Sequence, residues 1–162
     1  MQNAKDTFYI TLRNRLVTTN PARTMTLRAI TRPGILVSEA EAPTPQPLLD
    51  VFALSWTTLQ ADLQLPAILA QMTCEIQYCT AGTQINAGLD RGRALEEMDH
   101  EVLKVLYPYS AQKMNFTQNP AAAMETVVFW SEPEFGPVVT LRDRLSRTVK
   151  VTVCGFQEQG EQ

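Results

Sequence analysis

The feature that most constrains the fold is a strand pattern followed, across a short loop, by a long helix pattern. Residues 71–80 alternate apolar and polar side chains, which is typical of a half-buried β-strand. Residues 89–106 carry apolar side chains at spacings of three and four, which is typical of a helix with one buried face. The side chains predicted to face inward are Met72, Cys74, Ile76, Tyr78, Leu95, Met98, Val102 and Val105. We expect a small, flexible loop at residues 81–88 and a long helix packed across a sheet.

Further helix and strand patterns flank this unit. A first helix is expected to start at Asp6 or Thr7, because either side chain can cap a helix. It should end before Asn20, because a residue that precedes proline avoids the helical region. Strands are predicted at residues 24–30, 50–58, 125–131 and 147–153, with short extended pieces at 35–37 and 113–117. This order predicts an α+β fold: a mostly antiparallel β-sheet packed against the long helix, with an N-terminal helix.

Loops are predicted where proline, glycine and polar residues cluster. They lie at residues 32–34, 38–47, 119–124 and 132–137, and the stretch 38–47, with its three prolines, should be stiff and exposed. The polar tail, from about 157 to 162, is expected to fray. The length of 162 residues suits a single domain, residues 1–162, with enough chain to bury a core.

Composition limits the classes of function. With a net charge of −3, the chain lacks the overall positive charge that favours binding to nucleic acid or to an anionic membrane. The cysteines (Cys74, Cys79 and Cys154) are too few for a disulfide framework, so we expect reduced thiols in a cytoplasmic setting. No secretory signal and no membrane-spanning run is visible.

Catalytic chemistry is not indicated. His100 is the sole histidine and would need further ligands to hold a metal, so a solvated helix face explains it better. A pair of Cys79 with His100 is conceivable, since Cys79 could be exposed near a loop, but no nucleophile motif surrounds it. The glycines match neither a Walker-type loop nor a dinucleotide fingerprint. We therefore expect no enzyme, no cofactor and no metal.

A few residues are candidates for a protein interface. Arg142, Arg144 and Arg147 cluster before the last predicted strand, where they could contact a partner or form a solvated hairpin with local Arg–Asp pairing. Phe135 stands in a predicted loop tip and could anchor a contact. Ile85 lies in the 81–88 loop and is a further candidate. Phe129 and Trp130 are adjacent in a strand and should face opposite sides of the sheet.

The order of these elements is similar to that of the tail terminator (tail completion) proteins of long-tailed bacteriophages and prophages. The matching stretches are residues 6–17, 25–30, 51–58, 71–80, 89–106, 126–131 and 148–153. The chain departs from that pattern at the 38–47 loop and in the length of the 111–124 connection. The resemblance implies a structural phage-tail protein that caps the tail tube as a homo-oligomeric ring, expected to be a hexamer, and joins it to the head connector.

The implied partners follow from that role. They are the chain itself, the tail tube protein and the head–tail connector protein, with no membrane and no specific nucleic-acid binding. The implied location is the cytoplasm during assembly and then the virion tail. Because a ring needs a head-to-tail interface that closes, the loops at 38–47, 81–88 and 132–137 are expected to make contacts.

Alternatives remain open at this point. One is a neck or head-completion protein, which would also form a ring. Another is a small cytoplasmic ligand-binding domain or enzyme with a pocket between helix and sheet. That alternative requires polar residues that converge in an apolar cleft.

Overall fold

The fold is α+β, as the sequence predicts. The computed structural model describes residues 1–42, 48–64, 67–159 and 161. The helices are α1 (Gln2–Thr19), α2 (Ser38–Glu41) and α3 (Arg91–Leu106). The strands are β1 (Thr24–Leu27), β2 (Ile30–Pro33), β3 (Ile35–Val37), β4 (Phe52–Asp62), β5 (Leu69–Thr80), β6 (Ser110–Asn115), β7 (Ala122–Trp130), β8 (Glu134–Phe135), β9 (Val139–Leu141) and β10 (Arg144–Phe156).

One eight-stranded sheet forms the body of the protein. Its order is β3-β4-β5-β10-β7-β6, and β8 and β9 also pair with β10. β3 pairs with β4 in parallel, and the remaining pairs are antiparallel. β7, β8 and β9 follow one another along the same side of β10, opposite the side that pairs with β5. β1 and β2 form a separate hairpin.

α1 and α3 both cover one face of this sheet. The inward residues predicted on α3 and β5 are all buried in a single core with Phe8, Leu12 and Leu16 of α1. The ring of Phe8 meets Trp56 and Trp130 edge to face. Most of the opposite face is polar, which is common for antiparallel sheets with one solvated side. The sequence patterns therefore identified the core correctly.

A smaller apolar cluster lies on the face away from the long helices. It contains Met25, Leu36 and Val51, with Leu27 and Ala53 packed against it. Because Met25 and Leu27 come from β1, the β1–β2 hairpin covers this part of the sheet.

The prediction of one strand over residues 24–30 is wrong. β1 ends at Leu27, and β2 runs through the predicted 32–34 turn to Pro33. The chain reverses at Arg28 and Ala29, whose φ angles are 50° and 64°. A tight hairpin of this kind requires positive φ at its central residues, and Arg-Ala carries none of the usual glycine or asparagine signal.

Helix and loop boundaries also differ from the predictions. α1 begins at Gln2 with no side-chain cap, so neither Asp6 nor Thr7 starts it. Thr7 is buried and hydrogen-bonds to Met114 instead. The predicted 38–47 loop begins with α2, whose Glu41 carboxylate accepts the backbone N–H of Val37, and residues 43–47 lie outside the described part.

Strand pairing reaches further than the local patterns indicate. The predicted 132–137 loop contains β8, which pairs with β10, and β7 already begins inside the predicted 119–124 loop. The tail is not frayed where it is described, because Glu158 accepts the backbone N–H groups of Glu125 and Thr126. The carboxylate of Glu161 also pairs with the buried Lys113. These contacts join residues far apart in sequence, so a local pattern does not carry them.

Candidate interface at the hairpin end

Two segments meet at one end of the sheet and form a surface that we call the hairpin end: residues 81–90, between β5 and α3, and residues 139–144, around the β9–β10 turn. Thr80, the last residue of β5, pairs with Leu145 of β10, so both segments continue from the same place. Asp143 lines a shallow cleft together with residues of the 81–90 segment. Ile85, Arg142 and Arg144, predicted separately, are therefore brought to one end of the molecule.

The 81–90 segment is held by its own hydrogen bonds. The carboxylate of Asp90 accepts the backbone N–H of Thr83 at 2.9 Å, the Thr83 hydroxyl at 2.8 Å and the Asn86 amide at 3.3 Å. The hydrogen bond from the Thr83 N–H leads the contacts that lower the pKa of Asp90. A Cβ at Gly82, where φ is 73°, would lie 2.5 Å from Asp90 Oδ1. The expected flexible loop is thus a hydrogen-bonded loop with a defined shape.

Apolar side chains project from the hairpin end into solvent. Ile85 is 94% exposed and Leu89 is 91% exposed. Leu141 and Val139 of β9 are also exposed. Single exposed apolar residues are ordinary on protein surfaces, whereas several on neighbouring segments are typical of an interaction site.

The same end carries positive charge. Arg142 is exposed at the turn, with φ of 55°, and Arg144 is partly buried with its Nε 3.8 Å from Asp143. Arg91 lines the cleft beneath them. The guanidinium group of arginine can donate two parallel hydrogen bonds to a carboxylate, so this surface is suited to an acidic partner surface.

Arg147 and Phe135 occupy a different environment. Arg147 pairs with Asp99 of α3 at 3.0 Å, and its guanidinium lies over the ring of Phe135. Asp99 also accepts the hydroxyl of Tyr78, and burial, followed by this hydrogen bond, raises the pKa of Tyr78. Phe135 is half-buried in β8 and packs against the core, so its predicted place in a loop tip is wrong. Arg147 therefore links α3 to the sheet.

The sequence reasoning missed Leu89, Val139 and Leu141. The predicted helix includes Leu89, but α3 begins at Arg91. Val139 and Leu141 belong to a strand that the patterns did not predict. For Leu89 and Leu141, an apolar residue next to glycine or arginine is the available signal, and many buried residues share it; Val139 has no such neighbour.

No catalytic arrangement forms around the cysteines or the histidine in the described residues. Cys74, Cys79 and Cys154 are free and buried, and burial raises the pKa of each thiol. The expectation that Cys79 could be exposed is wrong, because its thiol is buried and donates to Leu48 O. His100 is exposed on α3, as predicted. Within the described ranges, no three His, Cys, Asp or Glu side chains group closely enough to hold a metal ion.

A cleft of about 500 Å³ lies between α1 and the β3–α2 region. The hydroxyl of Tyr9 donates to Glu41, which also accepts Arg32 Nη2 at 2.7 Å. Burial alone would raise the pKa of Glu41, but the hydrogen bond from Arg32 leads the contacts that lower it overall. Trp56 lines the other wall, with the ammonium of Lys5 over its ring at 5.3 Å. Aromatic and charged groups thus converge in the cleft.

Comparison with known proteins gives no family assignment. The sequence matches no protein-family model and no curated protein at a significant level. In the part of the chain that the structure describes, no helix has the length and apolarity needed to span a membrane.

Proposed function

We propose that this chain is a structural assembly protein that forms a closed ring, of the kind that caps a phage tail tube and joins it to the head connector. The order of helices and strands supports the proposal, because a first helix, a strand leading into a long helix and a closing antiparallel strand pair all occur in it. Most of the stretches on which the resemblance to tail terminators rests overlap these elements, whereas the stretch 25–30, expected as one strand, is divided between β1 and β2.

The observation that carries the proposal is the hairpin end. A hydrogen-bonded loop presents Ile85 and Leu89 almost completely to solvent, and a partner that covers them would remove this apolar surface from water. Covering exposed apolar side chains with a partner is favourable by about 25 cal/mol for each Å² of apolar surface removed from water. The arginines around them would give the contact orientation and specificity.

The proposed partners follow from the ring. A second copy of the chain forms the ring, the tail tube protein lies on one side and the head–tail connector on the other. We propose no catalytic step, cofactor or specific nucleic-acid contact. The proposed location is the cytoplasm during assembly and the tail in the virion.

The mass in solution tests the ring directly. We would measure light scattering across a wide concentration range and image the most concentrated sample by negative stain. A closed ring at six times the 18.1 kDa of one chain is the expected result. A monomer at every concentration, also when the tail tube protein is added, would contradict the proposal. A ring that binds the connector and leaves the tube unbound would favour the neck or head-completion alternative.

A matched pair of variants tests the hairpin end. Ile85→Glu should weaken ring formation while the fold is retained, because the side chain is exposed in the monomer and covered in the ring. Ile30→Glu is the control, since Ile30 is an equally apolar, exposed residue in the separate β1–β2 hairpin. Equal effects of the two variants on assembly would remove the hairpin end from the interface.

The cleft between α1 and α2 supports a second candidate, a ligand-binding domain. Trp56, Tyr9 and the Glu41–Arg32 pair provide the aromatic and polar groups that such a site requires. A small-molecule screen by thermal shift, repeated with Trp56→Leu, tests it. A ligand that stabilises the original chain and not the variant, in a protein that stays monomeric, would favour this candidate.

A further inference from the structure

Side chains or helices cover most edges of the eight-stranded sheet. α1 covers β6, where the hydroxyl of Thr7 accepts Met114 N–H at 3.0 Å and Arg15 donates to the Ser110 carbonyl. On β7, Glu158 accepts the backbone N–H groups of Glu125 and Thr126 at 3.0 and 2.9 Å. Such blocking prevents the edges from pairing with another chain.

The β3 side is blocked in the same way, and the blocking stops within β4. Glu41 accepts the N–H of Val37, and Glu39 accepts the N–H of Trp56 at 2.8 Å. β3 pairs with β4 only from Phe52 to Leu54. Beyond Trp56, residues 57–62 are all exposed, and no described residue hydrogen-bonds to their backbone from the outer side. We call residues 57–62 the open edge of β4.

A second open edge lies on the opposite side of the sheet, at the hairpin end. β9 (Val139–Leu141) pairs with β10 on one side, and its three residues are exposed. No described residue pairs with its other side. β8 is the other strand on this side without an outer neighbour among the described residues, and it has two residues.

We propose that β9 of one copy pairs with the open edge of β4 in the next copy, so that the sheet continues from chain to chain. This inference rests on the proposed function, because it names the two surfaces that would close the ring. A contact between different surfaces on the two copies is heterologous, which is the type that generates rings.

The strand directions favour this pairing. β4, β5, β10 and β9 are successively antiparallel, so β4 and β9 run in opposite directions within one chain. Cyclic symmetry keeps each strand's direction relative to the ring axis. β9 of one copy and β4 of the next would therefore meet as an antiparallel pair, the arrangement that is slightly more stable per residue.

The charges at the two edges are complementary. Arg142 directly follows β9, and in an antiparallel pair with Thr140 opposite Leu59 it comes opposite Thr57, next to Glu39 of α2, which accepts the N–H of Trp56. Opposite charges across neighbouring strands stabilise a sheet, whereas like charges directly opposite each other destabilise it.

The positions of the edges constrain the geometry of the ring. Leu59 pairs with Met72 of β5, while Thr140 lies in the row of Leu145 and Thr80. Measured along β5 from Met72 to Thr80, at ~3.3 Å per residue, these two positions are offset by about 26 Å. From β4 of one copy, across β5, β10 and β9, to β4 of the next copy there are four strand spacings of ~4.8 Å, which give about 19 Å of width. A closed ring then needs strands inclined by about 54° to its axis, a little steeper than the ~35–45° of closed barrels. A smaller inclination would give a filament.

Engineered cysteine pairs test the contact. Leu59 and Thr140 lie on the helix-covered side of their strands, so Leu59→Cys with Thr140→Cys can form a disulfide between copies. Ala61→Cys with Thr140→Cys tests the register two residues further along. Gln60→Cys with Thr140→Cys is the control, because these side chains project to opposite faces. The native cysteines are buried and form no disulfide in the structure, and the single variants control for any disulfide with them.

The expected result is a ladder of linked oligomers on a non-reducing gel for one of the first two pairs. The control pair and the single variants should give no ladder. Rings without a ladder from either pair would overturn the edge pairing and leave the proposed function standing. Efficient dimers from a single variant would also overturn it, because they indicate identical edges in contact. A ladder in filaments without rings would support the pairing and contradict the proposed ring.

A charge reversal provides an independent measurement. Glu39→Arg and Arg142→Glu should each raise the concentration needed for half-assembly by about 2- to 5-fold, as expected for a surface ion pair. Together they should restore it toward the original value. Additive losses in the double variant would contradict the proposed apposition of these two edges.

Discussion

Replacing Glu101 should produce a large loss of stability. Its carboxylate accepts hydrogen bonds from Asn20 Nδ2 at 2.7 Å, from Arg23 Nη2 at 3.0 Å and from Arg23 Nε. The side chains of Arg23 and Glu101 are only 12% and 11% exposed, so the pair behaves as a buried one. The contact ties α3 to the segment that connects α1 with β1.

The magnitude follows from leaving a buried charge without its partner. Glu101→Gln keeps the size of the side chain but leaves the guanidinium of Arg23 without a counter-charge, which costs about 3–5 kcal/mol. That is a large share of the ~5–15 kcal/mol by which typical domains are stable. Removing both partners, as in Arg23→Met with Glu101→Met, should cost less than the sum of the single changes, because no unpaired charge remains.

Urea unfolding followed by tryptophan fluorescence measures these differences, since Trp56 and Trp130 both lie against the core. Glu97→Gln is the matched control on the same helix, where the side chain is exposed. It should change the free energy of unfolding by less than ~0.5 kcal/mol. A loss of under 1 kcal/mol for Glu101→Gln would refute the reasoning, because it would mean that water already screens the pair.

Further predictions concern the core, the sheet and the tail. Val102→Asp should unfold the protein, because it buries an unpaired charge beneath the sheet, and a cooperative melt like that of the original chain would contradict the helix face. Phe135→Ala should lower the free energy of unfolding by about 1–3 kcal/mol, below the ~3–5 kcal/mol of a fully buried phenylalanine. Its proposed interface role is tested by the ring mass of the same variant. Burial alone would raise the pKa of Glu161, but the Glu158 N–H and Lys113 lower the pKa overall. The carboxylate therefore stabilises the fold above its pKa in the unfolded chain, and this stability is lost as the pH falls through its pKa in the folded protein. Glu161→Gln should therefore reduce the acid sensitivity of unfolding, which pH-dependent urea melts measure. A thiol reagent at pH 8 should modify the cysteines only after unfolding, because burial raises their pKa values and blocks access; rapid labelling of native protein would contradict this.

The core was predictable from the sequence because its signals are local. The period of α3 and the alternation of β5 each arise within one element, and every residue assigned to the inward face is buried. The hairpin at Arg28 and Ala29 was not predictable, because neither residue type prefers positive φ. The tail was not predictable either, since its order depends on Lys113, far away in the sequence.

The candidate interface was only partly predictable for the same reason. Arg142 and Arg147 are the same residue type in one short cluster, so the sequence does not distinguish them. In the structure Arg147 forms a salt bridge, because Asp99 of α3 lies 3.0 Å from it. Ile85 was identified from its place in a loop, while the exposure of Leu141 depended on a strand that the sequence pattern did not reveal. Which apolar residues remain uncovered is a property of the whole fold.

The small size of β9 has a consequence for how a ring would assemble. A contact that uses three residues of backbone provides little stability in an isolated dimer, because association also costs translational and rotational entropy. In a closed ring every copy makes two such contacts, and the last contact forms within one particle at a high effective concentration. We therefore expect monomers and complete rings with few intermediates, and a steep dependence of ring formation on concentration. A stable dimer populated over a wide concentration range would show that a larger surface than the two open edges holds the copies together.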